Sequence, residues 1–209
     1  PTSGLVTMAG LDVTKNPDDV RQNIGIIFQD PSLDEKLTAL DNLIFHAYLY
    51  GVTRREQPAR IEKFLRMVGL YERRKDVVKK YSGGMKRRLE IARGLLHHPK
   101  ILFLDEPTIG LDPQTRNHLW SYVEELNKKE GITVFLTTHY MEEADKVADR
   151  IAIIDHGKII SMGSSQSLQD ETKSSSLEEA FLSLTGSHVR DEDASSLDHV
   201  RMQRRMWRR

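Results

Sequence analysis

No cysteine occurs among the 209 residues, which excludes disulfides and thiolate metal sites and agrees with a reducing compartment. Long apolar runs are missing too. No stretch approaches the roughly 20 residues that span a bilayer, and no secretory signal is read ahead of the first element, so any membrane role is expected to come through a partner. There is no charge imbalance, with 31 basic against 31 acidic side chains. The overall balance therefore calls for no polyanionic partner, and no nucleic acid is expected. What remains is an ordinary globular composition, 38% hydrophobic and 30% charged, long enough for one good core or two small lobes. The chain opens at Pro1 in the turn "PTSG" and is expected to be a fragment or a processed form.

Periodicity orders the chain into alternating segments. Leu5 to Met8 read as a short strand between Gly4 and Gly10, and Ile24–Phe28 as a fully apolar one, with Gln29 just past its end. From Thr38 to about Lys80 the spacing turns helical. Leu40, Leu43, Ile44 and Ala47 recur at three and four residues, as do Ile61, Phe64, Leu65 and Val68, with Gly51 and Gly69 near the ends. This predicts a helical insert between two strand-rich parts. A helix follows "YSGGM", carrying Leu89, Ile91, Ala92, Leu95 and Leu96 and stopped by Pro99. Strand and helix then alternate: 101–104, a helix near 113–128, a strand in 132–139, a short helix at 140–148, and a hairpin, 151–154 with 159–162, about the "HG" turn. Such alternation implies right-handed crossovers and a parallel sheet, an α/β fold. Beyond Gly163 a loosely ordered tail is expected, interrupted by "SLEEAFLSL", where Leu177, Ala180, Phe181 and Leu184 share a face.

The stretch "KILFLDEP" raises the chemical question. Ile101 to Leu104 form an apolar run suited to a strand covered on both faces, yet it ends in Asp105 and Glu106. At the C-terminal edge of a parallel sheet, one carboxylate can hold a metal while its neighbour acts on a water. A solvated acidic turn is the alternative if the stretch is taken alone. It stands, however, in a series: Gln29 after a strand, "YSGGM" opening a helix, "ILFLDEP", "GLDP" at 110–113, and His139 after a strand.

That series resembles the nucleotide-binding subunit of ABC transporters, and "FQDPSLDEKLTALDNL" with "YSGGMKRRLEIAR" looks most like the daunorubicin-resistance branch of drug exporters. The resemblance covers about residues 1–165. It implies a P-loop NTPase-like parallel sheet with an inserted helical subdomain, with ATP and Mg²⁺ as cofactors. It also implies Asp105 as the Mg²⁺ holder through its water shell, Glu106 as the group polarising the attacking water, and His139 as the switch histidine. Gln29 becomes the Q-loop glutamine, near both metal and nucleotide, Ser82, Gly83 and Gly84 the signature, and Asp112 part of the nucleotide-facing D-loop. Met85 stands where many relatives have Gln. By the same resemblance residues 1–30 are a partial core ending in the Q-loop, 31–81 the helical subdomain, 82–165 the rest of the core, and 166–209 a tail. Two subunits are expected to pair head to tail on the cytoplasmic face of the membrane, each signature closing on the other's nucleotide, with a separate transmembrane permease as partner.

One family element is absent. No G-x-x-x-x-G-K-[ST] occurs in the 209 residues, so the backbone cradle and lysine for the β- and γ-phosphates are lacking. A central strand and its helix go with that loop. The expectation is that apolar faces of neighbouring strands stay unpaired and wet, and that this chain alone neither hydrolyses ATP nor folds stably. Alternatives are a pseudo-ATPase lending only its signature to a full partner, or a non-transport ATPase of the same family. The run "VRMQRRMWRR" fits a lipid contact, a segment preceding a membrane span in a longer chain, or a solvated tail.

Overall fold

The computed structural model describes residues 1–30 and 32–186. The C-terminal arginine run lies outside the described residues. Two compact units divide the chain at Glu143 and Ala144.

The first unit contains β1 (Thr7–Met8), β2 (Leu11–Asp12), α1 (Pro17–Asn23), β3 (Ile24–Ile27), α2 (Ala39–Leu49), α3 (Gln57–Met67), α4 (Gly83–Leu95), β4 (Ile101–Asp105), α5 (Pro113–Glu130) and β5 (Thr133–Thr137). Strands β3, β4 and β5 form a parallel sheet in that order. Their register pairs Ile24 with Ile101 and Ile101 with Thr133, and it sets Asp105 opposite Thr137. All three strands therefore finish at one edge, from which Gln29, Glu106 and His139 emerge.

Helix α4 packs on β3 at very short range. A Cβ on Gly25 would lie 2.6 Å from the Gly94 carbonyl oxygen, so only glycine admits the helix there. Ile27, Leu102 and Leu104 on the strands, with Leu89, Ile91 and Leu95 on the helix and Leu96 at its C-cap, are buried. The other sheet face is not. Ile26, Phe28 and Phe135 are 40%, 52% and 57% exposed, which corrects the expectation of strands covered on both faces. Among the described residues β5 pairs only with β4.

The helical insert forms as α2 and α3. Thr38 caps α2 by accepting from the Asp41 amide at 3.0 Å and donating to the Asp41 carboxylate at 2.6 Å, a reciprocal cap of the kind that fixes a helix start. Leu43 and Ala47 on α2, with Ile61, Phe64 and Leu65 on α3, are buried as their spacing predicts. Ile44 is the exception. It faces solvent with Phe45, Tyr48 and Leu49 in an exposed apolar stripe.

The second unit holds most of α6 (Met141–Val147), the antiparallel hairpin of β6 (Ile151–Asp155) and β7 (Lys158–Gly163), α7 (Ser165–Thr172) and α8 (Leu177–Thr185). The segment expected to be a loose tail thus begins with two helices. Ser164 and Ser176 cap them through the Ser167 and Glu179 amides, and Leu168, Leu177 and Ala180 are buried.

Candidate functional site

Two clusters gather the residues that the sequence singles out. The first sits where β4 and β5 end. The Thr137 hydroxyl donates to Asp105 Oδ1 at 2.6 Å, and the Glu106 amide donates to the Thr137 carbonyl and hydroxyl at 3.2 and 3.1 Å. These bonds hold Glu106 at φ 46°, a left-handed conformation that costs a non-glycine residue on the order of 1 kcal/mol. The bend brings its carboxylate to 2.5 Å from His139 Nδ1, which donates to Glu106 Oε2. The His139 ring also lies against Tyr140, with centroids 4.1 Å apart. Buried Glu143 accepts from the Thr108 hydroxyl at 2.8 Å and stands 3.3 Å from Arg116 Nε. Segments 106–112 and 138–143 are thereby tied together.

The second cluster is a pair of helix N-termini. Ser82 caps α4, its hydroxyl oxygen accepting from the Met85 amide at 3.3 Å. Asp112 caps α5, accepting from the Gln114 and Thr115 amides at 3.1 and 3.0 Å and from the Thr115 hydroxyl at 2.6 Å. The Thr115 hydroxyl, with both amides behind it, holds the Asp112 carboxyl below the usual carboxylate range. Gly84 lies directly on Thr115, whereas Gly83 faces open space. The Ser82 turn thus presents a hydroxyl, an uncovered glycine and the positive end of a helix, which together suit an anion.

Gln29 is exposed, two residues past the end of β3. No hydrogen bond among the described residues joins Ser82, Gly83 or Gly84 to Asp105, Glu106 or His139. Within one chain the structure therefore unites Asp105, Glu106 and His139, and unites the signature turn with Asp112, as two groups. Thr137 and Thr115 escaped the sequence reading. Thr137 could have been found as the cross-strand partner of Asp105 once the parallel register was assumed.

The profile of the family described as ABC transporter matches residues 1–109, more than half of the chain. This chain belongs to the ABC transporter ATP-binding family. The linearmycin resistance ATP-binding protein LnrL of Bacillus subtilis is 45% identical to it over 166 residues, 79% of this chain and 53% of the relative. The daunorubicin/doxorubicin resistance ATP-binding protein DrrA of Streptomyces peucetius is 44% identical over 177 residues, 85% of this chain and 53% of the relative. The chain spans about half the length of these curated relatives. Among solved structures, an ATP-binding subunit of an ABC transporter superposes with a TM-score of 0.78 at 27% identity, covering 88% of this chain and 77% of that one. A dimeric ATP-binding cassette in a post-hydrolysis state, bound to ADP and phosphate, gives a TM-score of 0.68 at 28% identity over 78% of this chain and 74% of its own. ABC cassettes bind nucleotide. Among the described residues no helix is long and apolar enough to cross a membrane.

Proposed function

We propose that this chain forms part of the ATP-binding and hydrolysing module of an exporter whose cargo passes through a separate membrane subunit. The observation that carries the reading is the cluster at the ends of β4 and β5, where Glu106 meets His139 beside Asp105. Phosphoryl transfer needs a positioned water and charge neutralisation more than covalent help. Glu106 would orient and polarise the water, with His139 fixing its carboxylate. Asp105 spends one oxygen on Thr137 and, among the described residues, receives no hydrogen bond on the other.

The donor set fits Mg²⁺. Asp105 keeps one carboxylate oxygen without a hydrogen bond among the described residues, and Mg²⁺ is characteristically held by one or two carboxylates, several waters and substrate phosphates. Asp105 would hold it through its water shell with Gln29 alongside, and the bound ion would neutralise phosphate charge. The lysine-bearing phosphate loop is not among these 209 residues, so the site they form is partial.

Ser82, Gly83 and the N-terminus of α4 would clamp the nucleotide of a second copy in a head-to-tail pair, with Asp112 at the same junction. The exposed stripe Ile44, Phe45, Tyr48 and Leu49, beside Arg54 and Gln57, is the surface we assign to the membrane subunit. The assembly would work on the cytoplasmic face of the membrane. Names of relatives support an exporter role, since LnrL and DrrA are described as resistance ATP-binding proteins. The test is magnesium-dependent ATP turnover by the native gene product. Turnover is expected to vanish in Glu106→Gln while nucleotide binding persists; unchanged turnover in that variant refutes the reading.

A further inference from the structure

Helix α4 carries a buried ionic network that the proposed chemistry leaves unused. Arg87 is 5% exposed and Glu90 fully buried. Ions at such depth cost several kcal/mol each unless their hydrogen bonds are met, and these are met in a specific pattern. Arg87 Nε donates to the Pro107 carbonyl at 2.9 Å, Nη2 to the Asp105 carbonyl at 3.0 Å, and Nη1 to the Phe28 carbonyl and, at 3.3 Å, to Glu90 Oε2. The other Glu90 oxygen accepts from the Ser32 amide at 2.7 Å, and Arg93, one turn further along, donates to the Ser32 carbonyl at 2.7 Å. One planar cation thus bonds the carbonyl just before Gln29 and the carbonyls on either side of Glu106.

We propose that Arg87 is a positioning residue for hydrolysis: its guanidinium fixes the ends of β3 and β4 so that Gln29, Asp105 and Glu106 keep one arrangement relative to the signature helix. The inference rests on the proposed ATPase reading. Glu106 sits in a left-handed conformation, which persists only where its surroundings over-determine it. Arg87 does so by pinning the carbonyls of residues 105 and 107, and Thr137 by holding the Glu106 amide. Because Arg87 lies five residues after Ser82 on the same helix, a shift of the signature turn is carried directly to the carboxylate pair. Glu90 and Arg93 carry it to the segment leading into the helical insert.

A lysine at 87 retains the charge opposite Glu90 but cannot span three divergent carbonyls with a rigid fork. The native gene product and its Arg87→Lys, Glu90→Gln and Arg88→Lys variants are to be compared by kcat per bound nucleotide, KM for ATP, and the magnesium dependence of turnover. Arg88 donates to the Val68 carbonyl in the helical insert and serves as a control on the same helix. Arg87→Lys is expected to lower kcat per bound nucleotide by at least about tenfold, with KM within about threefold, the pattern of an interaction that matters in the transition state. The magnesium requirement should rise, since Asp105 is displaced. Glu90→Gln should show the same split more weakly, and Arg88→Lys should leave kcat unchanged. Loss of activity only in proportion to lost nucleotide-binding sites, or an Arg87→Lys kcat within about twofold of the parent, overturns the inference. If the parent itself shows no turnover sensitive to Glu106→Gln, the ATPase reading fails and this inference with it.

Discussion

Gly84 allows a quantitative test of how the signature turn is built. A Cβ added there would lie 2.8 Å from Thr115 Cγ2 and 3.2 Å from its hydroxyl oxygen. Carbon atoms rest comfortably at about 3.5 Å or more, so Gly84→Ala must open a gap of roughly 0.7 Å. Thr115 cannot swing aside cheaply, because Asp112 holds both its hydroxyl and its amide. Overpacking of this kind costs about 1–3 kcal/mol, partly offset by the ~0.4–1 kcal/mol that Gly→Ala gains by restricting the unfolded chain. A net loss of roughly 1–2 kcal/mol is expected, read as a fall of about 2–4 °C in Tm for each kcal/mol. Gly83 is the internal control. Nothing lies within 4 Å of its added Cβ, so Gly83→Ala should be neutral or stabilise by up to about 1 kcal/mol. Thr115→Ala removes both obstructing atoms, and in that background Gly84→Ala should lose its penalty, a coupling of about 1–2 kcal/mol. Thermal unfolding of the four variants in the native gene product decides the matter. Equal effects at positions 83 and 84, or no relief from Thr115→Ala, would refute the packing argument.

Other consequences follow from the same geometry. Thr137→Val removes the hydroxyl bonds to Asp105 and to the Glu106 amide, and steady-state assay should show kcat lowered about tenfold, the equivalent of ~1.4 kcal/mol. Phe45→Asp on the exposed face of α2 should shift unfolding by no more than about 0.5 kcal/mol yet uncouple turnover from stimulation by the membrane subunit. Burial, reinforced by Arg93 and His97, pushes His46 down to about 3 from 6.5. The folded state thus keeps it neutral while the unfolded chain takes up a proton below pH 6.5. Its stability contribution is complete above that pH and declines as pH falls toward 3, by at most about 1.4 kcal/mol per pH unit. Denaturant titrations should show this slope flattened in His46→Gln. The isolated 209-residue chain, lacking the lysine-bearing loop, is expected to leave ATP intact in a phosphate-release assay.

Much of this is legible in the amino-acid sequence. The order of strands and helices follows from the switch between apolar runs and three-to-four spacing, and strands β3, β4 and β5 lie within two residues of the bounds read from the sequence. Asp105, Glu106 and His139 were recognisable because charges at strand ends are chemically conspicuous. Other features were hidden for identifiable reasons. Helix α2 is apolar around most of its circumference, with Leu43 and Ala47 inward and Ile44, Phe45, Tyr48 and Leu49 outward, so periodicity alone could not choose the buried face. An apolar run such as "ILFLD" reads the same whether one face or both are covered. Thr137 looks like an ordinary β-former until Asp105, 32 residues away, is set beside it. Arg87 reads as one more basic residue in "KRRLE"; only the convergence of residues 28, 105 and 107 reveals its surroundings. The serines beyond Gly163 gave an impression of looseness, yet two of them are helix caps.

We propose that the carboxylate pair of one copy and the Ser82 turn of another share a nucleotide. Residues 1–209 contain no cysteine, so single cysteines can be placed once any cysteine elsewhere in the gene product is replaced by serine. Copies of the native gene product bearing Ser82→Cys are to be mixed with copies bearing His139→Cys, both in the Glu106→Gln background, and treated with a short bifunctional maleimide. ATP with magnesium should produce a crosslink between the two populations that is absent without nucleotide; no such crosslink at saturating ATP would contradict the account.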